Sequence, residues 1–123
     1  MSTKKTLPYL AASLALLVVG ASSSVTDAAS MRASWYGKQF HGRLMANGHR
    51  FNMFDPTTVA HKSFPFGTKL RLTNPKTGKS IRVVVRDRGP YIRGRQLDLS
   101  FAAAKVLGFV SSGTAALKVE RLN

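Results

Sequence analysis

Past residue 30 the chain carries four carboxylates, Asp55, Asp87, Asp98 and Glu120, and three histidines, His41, His49 and His61, with no cysteine anywhere. Any acid–base chemistry must use a member of that short set. Thiolate nucleophiles and thiolate metal sites are excluded. No His-x-x-x-His spacing or comparable cluster marks a metal site, so no metal or other cofactor is expected. Asp87 stands out by its setting. It closes the apolar, β-branched run Val83-Val84-Val85, and the chain breaks just after it at Gly89-Pro90. Arg86 and Arg88 flank it, and a cation in contact would hold it ionised. Successive strand residues face opposite sides, however, so neither arginine need touch it. The plainer alternative is a structural ion pair or a turn cap. Asp98 lies just ahead of a helix start, where negative charge is favourable. Asp55 precedes Pro56 and reads as a turn residue, and Glu120 reads as a surface residue near Arg121.

The elements that must position these groups are short strands punctuated by turns. Met31 to Tyr36 reads as a strand closed by Gly37. Gln39 to Asn52 is an irregular, glycine-containing loop, and Thr57 to His61 is a brief β-branched strand. Ser63-Phe64-Pro65-Phe66-Gly67 is a turn. Lys69 to Asn74 alternates apolar Leu70 and Leu72 with polar neighbours, the period of a half-buried strand. Pro75 to Lys79 is a hairpin loop, and Ile81 to Arg86 is the returning strand. Arg95 to Leu99 is a further strand. Ser100 then caps a helix over Phe101 to Leu107, which Gly108 terminates. Ala115 to Leu122 is the last strand, with Ala115, Leu117 and Val119 on one face. Some six short strands and one helix suggest a small closed β-barrel, because closure removes exposed edges.

The first thirty residues are set apart. Lys4 and Lys5 precede the apolar run Leu7 to Ala21, followed by small residues to Ser30. That is the pattern of a secretory signal peptide, with cleavage after Ser30 or near Ser23. The run falls short of the roughly 20 residues of a membrane span. An uncleaved anchor is the alternative; after cleavage no stable membrane anchor remains. Residues 31–123 then form one domain, and nothing suggests an obligate oligomer, so a monomer is expected. This part holds 17 Lys+Arg against 4 acids. Such an excess suggests an anionic partner, unless it serves only solubility. With an export signal, an anionic cell-envelope polymer fits better than nucleic acid.

Several segments occur together in the order of one family: Ala33-Ser34-Trp35-Tyr36-Gly37, Phe40-His41-Gly42-Arg43, Ala46-Asn47-Gly48, Thr58-Val59-Ala60-His61-Lys62, Pro65-Phe66-Gly67-Thr68, Arg71-Leu72-Thr73-Asn74, Asp87-Arg88-Gly89-Pro90 and Asp98-Leu99-Ser100. Over Ala33 to Arg121 the chain resembles the catalytic domain of the rare lipoprotein A family, septal endolytic peptidoglycan transglycosylases. The resemblance implies a mainly β fold, a six-stranded double-psi β-barrel with one short helix, shared with expansins and family 45 endoglucanases. It implies a periplasmic or secreted protein acting on peptidoglycan glycan strands stripped of their stem peptides. With no lipid-attachment cysteine, a lipoprotein is not expected.

The resemblance also marks residues. The family's Asp matches Asp87 and its His matches His61. The family has Glu where this chain has His49, and often Asp where this chain has Asn52. Asp87, His61 and His49 are thus the implied catalytic set, with Tyr36, Asn52, Arg88, Tyr91 and Asp98 toward substrate. A matching Asp in the expansins lies in their binding groove, which makes Asp98 the second choice of acid. His61 would orient Asp87 or a sugar hydroxyl, or simply be a half-buried histidine. His49 would replace a base, bind substrate, or do neither. Trp35, Tyr36, Phe40 and Tyr91 suit the apolar faces of sugar rings, although Trp35 and Tyr36 alternate on one strand and core packing accounts for some of them. Glycoside hydrolysis usually needs two carboxylates. In a lytic transglycosylase the muramic 6-hydroxyl attacks instead of water, and one acid/base group suffices. Loss of two carboxylates therefore favours transglycosylation, at reduced activity, over hydrolysis. The rivals are a non-catalytic, expansin-like wall-binding module and a basic protein binding an anionic polymer or a partner protein.

Overall fold

The computed structural model describes residues 28–123. The leader reading lies outside them up to residue 27. The strands are β1 (Ala28–Tyr36), β2 (Thr58–His61), β3 (Lys69–Asn74), β4 (Lys79–Asp87), β5 (Leu97–Ser100) and β6 (Thr114–Arg121), and the helix is α1 (Phe101–Leu107). They close into a barrel in the order β1-β5-β2-β4-β3-β6. The β1–β5 and β2–β4 pairs are parallel and the others antiparallel. The six-stranded double-psi barrel expected above is the fold. β1 starts at Ala28, three residues ahead of the expected domain boundary, and residues 28–30 already pair with β6.

The interior follows from alternation. Leu70 and Leu72 of β3, Val83 and Val85 of β4, Leu97 and Leu99 of β5, and Leu117 and Val119 of β6 fill the barrel and are almost wholly buried. At two turns α1 is too short to be stable alone. It holds by burying Ala103, Ala104 and Leu107 on the core. Ser100 Oγ accepts from the Ala103 N–H at 3.1 Å, and Gly108 ends the helix at φ 80°. The last carbonyl is satisfied from elsewhere. Asn74, buried at the end of β3, donates Nδ2–H to Leu107 O at 2.8 Å, and the Thr77 hydroxyl donates to the same oxygen at 3.1 Å.

Two features shape the site. Val59 pairs with Val85 but Ala60 pairs with Asp87, so β4 carries one extra residue, Arg86, in a β-bulge. Val85 faces the core, and in an unbroken strand Asp87 would too. The bulge instead puts Asp87 on the outer side with Ala60. The second feature is the β1–β2 connection, which folds over that outer side. It contains the 3-10 turn Lys38–Phe40 and a small hairpin closed by a Leu44–Arg50 bridge, with Gly48 at φ 90° in its turn. The stretch read as an irregular loop therefore has internal order. Gly37 lets it leave β1 closely, because a Cβ there would come within 2.9 Å of the Trp35 ring.

Candidate active site

The outer face of β1, β5, β2 and β4 carries a row of paired positions. Ser34 pairs with Asp98, Asp98 with Ala60, and Ala60 with Asp87. Both carboxylates thus flank one small side chain. Tyr36, two residues beyond Ser34 on the same face, donates its hydroxyl to Asp87 Oδ2 at 3.2 Å. Asp87 Oδ1 accepts from the Ala46 N–H at 2.8 Å and the Arg88 N–H at 2.9 Å. Asp98 Oδ1 accepts from the Ser34 hydroxyl at 3.1 Å. Burial pushes the Asp98 carboxyl up to about 6, with Asp87 adding a smaller push and Ser34 and Arg95 opposing it. Tyr36 stays neutral far above its ordinary range, first through burial and then through the adjacent Asp87 charge. Phe51 stacks on the Tyr36 ring at 4.2 Å and fixes it under the loop.

Neither guanidinium is bonded to Asp87, though not for the reason alternation suggests. The bulge interrupts alternation, and Arg86 shares the outer side. Arg86 Nη1 is held by the Thr57 and Thr58 hydroxyls at 2.8 and 3.0 Å and lies 3.7 Å from Asp55. Arg88 Nη1 donates to the carbonyls of His61 and Phe64 at 3.2 and 2.8 Å, with its guanidinium over the Phe66 ring. Asp98 also departs from expectation. Its partner is Ser34 on β1, and the helix start is capped by Ser100. Glu120 pairs across the ladder with Arg71 at 3.9 Å, and Arg121 takes no part in that pair.

His61 is not bonded to Asp87. Its Nδ1 accepts from the Ser63 and Phe64 N–H groups at 3.1 and 2.9 Å, and its ring stacks on Phe64 at 3.8 Å. This network assigns the proton to Nε2, an N–H donor with no acceptor among the described residues. Burial and then the Arg88 and Lys62 charges lower its pKa. His49 and Asn52 line a separate polar cleft with Met45, Asp55, Thr58 and Arg86. Asn52 Oδ1 accepts from the Phe54 N–H at 2.9 Å, a turn contact that an Asp would make equally well. Trp35 is half-buried against the core: its indole N–H donates to Val110 O and its ring meets Phe101 edge-on. Phe40 leans on Tyr36. Tyr91 is 75% exposed beside the Asp87 turn, free to stack on a ring. The structure therefore brings together Asp87, Asp98 and Tyr36, and keeps His61 and the His49–Asn52 pair in neighbouring groups.

Three participants carry no signal among the residues singled out from sequence. Ser34 was legible in principle, since it lies two residues from Tyr36 on a strand and so shares its face. Phe51 and the Ala46 N–H were not, because they reach the site only through the fold of the loop.

The profile of the lytic transglycolase family matches residues 28–119. This chain belongs to that family. Among relatives of the lytic transglycolase domain, an endolytic peptidoglycan transglycosylase RlpA of Pseudomonas aeruginosa is 50% identical over 91 residues, 74% of this chain and 26% of that protein. The protein of that name from Neisseria meningitidis is 50% identical over 90 residues, 73% of this chain and 37% of that protein. The chain thus spans a quarter to somewhat over a third of these relatives. In shape the domain resembles the Clavibacter michiganensis expansin, at TM-score 0.61 and 25% identity over 79% of this chain and 51% of that one. It also resembles a Streptomyces papain inhibitor, at TM-score 0.63 and 21% identity over 79% and 96%. The shape likeness to the inhibitor speaks to fold alone.

Proposed function

We propose that this protein is an exported endolytic peptidoglycan lytic transglycosylase, periplasmic or secreted after removal of its leader, working on stem-peptide-free glycan strands as a monomer. The Asp87–Ala60–Asp98 row carries this reading: two acids on one outer face, one held by three donors and the other retaining its proton to about pH 6. The names of the relatives support the substrate class. Asp87 is the acid/base group. The muramic C6 hydroxyl attacks C1, the C1–O bond to the next sugar breaks with its electron pair on the leaving oxygen, and that oxygen is protonated. The hydroxyl proton passes to the carboxylate, so the site ends with the proton it began with and a 1,6-anhydro end is formed. Asp98 keeps its proton to about pH 6 beside Asp87, and Tyr36 aims Asp87 Oδ2. His61 offers Nε2–H to a sugar oxygen, Arg88 holds the turn against Phe64, and Tyr91 stacks on a ring. His49 and Asn52 contact the strand from the neighbouring cleft.

Digestion of stem-peptide-free strands followed by mass spectrometry tests this. Anhydro-muramic ends that vanish in Asp87→Asn support it, and water-terminated ends would mean hydrolysis. Binding without new ends would indicate the expansin-like wall-binding module. Activity should fall as pH rises through about 6, with that limb absent in Asp98→Asn; a limb that persists removes Asp98 from the proton's path.

A further inference from the structure

Arg86, the residue inserted by the bulge, stands between two clefts and lines both. One, of about 330 Å³, is the His49–Asn52 cleft, which also holds Arg50. The other, of about 430 Å³, is formed by Thr57, Val84 and Leu122 with the cations Lys69 and Arg82. Asp55 is the one acid in either lining. All contacts of the Arg86 guanidinium are made by Nη1, with Thr57, Thr58 and, more distantly, Asp55. Nη2 and Nε have no protein acceptor among the described residues. The group is thus anchored at one corner and presents an unused pair of N–H donors, the fork that suits a planar anion. The neighbouring cations carry a cost. Arg82 stands directly opposite Arg71 in the β3–β4 ladder, and Glu120 pairs with Arg71 only. Like charges directly opposite destabilise a sheet. An anionic ligand would offset that cost.

We propose that Arg86 anchors a carboxylate of the substrate, at the centre of a groove running from the His49–Asn52 cleft into the Lys69–Arg82 cleft. This rests on the glycan-strand reading above and names the group recognised, the free lactyl carboxylate of a muramic acid residue. Val84 and Leu122 give the second cleft an apolar floor for a sugar face, and Lys69 and Arg82 meet a further carboxylate along the polymer. A stem peptide turns the lactyl carboxylate into a neutral amide. Arg86 therefore selects strands from which the peptide has been removed.

The test measures binding by calorimetry on an Asp87→Asn background, where strands stay intact. The ligands are stem-peptide-free strands and the same strands with their carboxylates amidated. Free-carboxylate strands should bind about tenfold more tightly, the scale of one charge-assisted contact, and Arg86→Gln should reduce that ratio to about one. Arg86→Lys, a point charge without the fork, should restore only part of it. Equal affinity for the two strands, or a ratio that survives Arg86→Gln, overturns the proposal. Should Arg86→Gln fail to fold, the exposed pair Lys69→Gln and Arg82→Gln must weaken only the free-carboxylate strand, by about threefold, and no such loss overturns it. Anhydro ends are scored separately with the unmodified protein. Their absence alongside carboxylate-dependent binding would remove the enzyme reading and leave Arg86 in place. Their presence without carboxylate dependence would do the reverse.

Discussion

Asp87 and Asp98 are both paired to Ala60, Asp87 from β4 on one side and Asp98 from β5 on the other. Burial raises the Asp98 carboxyl, and the neighbouring Asp87 charge adds a smaller push in the same direction. Tyr36, bonded to one and within the field of the other, stays a neutral donor throughout. The chemistry proposed for the site and its pH response come from this one arrangement.

The first prediction concerns stability. Asp98 has its folded value raised to about 6, above the unfolded value near 3.8. Between these values the folded protein keeps a proton that the unfolded chain has released. The contribution is full below about pH 4 and is lost as pH rises through about 6, and a rise from 3.8 to about 6 corresponds to roughly 3 kcal/mol. Urea unfolding of Asp98→Asn should show this part of the pH slope gone. An unchanged slope would assign it to another group.

Tyr36→Phe removes one of three donors to Asp87 while keeping the stack on Phe51. A hydrogen bond to a charged group contributes about 1.5–3 kcal/mol, so turnover of glycan strands should fall by roughly ten- to a hundredfold. The fall should appear in kcat more than in KM. A loss confined to KM would mean that Tyr36 serves binding alone.

Asn74→Leu leaves the Leu107 carbonyl with Thr77 as its donor and removes the acceptor of the Lys76 N–H. Loss of a buried partner should cost about 2 kcal/mol, measured as a lower unfolding free energy with an unchanged denaturant slope. Asn74→Asp should be at least as damaging, because it places a second acceptor against that carbonyl.

His61 shifts the other way from Asp98. Its lowered folded value means that its contribution is present above the unfolded value near 6.5 and is lost as pH falls through the folded one. Protonating Nδ1 breaks the acceptor contacts with Ser63 and Phe64. An NMR titration should place His61 below the ordinary histidine range. A value at or above that range would contradict the contacts described.

Much of the barrel was legible from residue type. β3 matches its apolar alternation residue for residue, and the Ser100 cap and Gly108 stop bound α1 as their chemistry dictates. Strand ends were less legible: β1 begins at Ala28 and β4 runs from Lys79 to Asp87, because pairing with a neighbour extends a strand past its apolar core. Asp87 could be picked out by scarcity and position. Its surroundings could not, since the bulge is a property of two strands together and no pattern within Val83 to Arg88 announces it. The partner of Asp98 was missed for a similar reason. Proximity along the chain pointed to the helix, whereas pairing across β1 and β5 delivers Ser34.

The extra residue in β4 makes the site depend on counting as well as on composition. Each strand position belongs to the interior or the exterior by odd or even number, and Arg86 changes that parity once, one residue before the acid. Deleting it would place Asp87 directly after Val85 and opposite Ala60 in an unbroken ladder, so the acid would keep its outward face and the site would lose only the guanidinium that the bulge adds beside it. A relative of this barrel without the extra residue should therefore keep the outward acid and lack the cation beside it, however similar the sequences remain on either side.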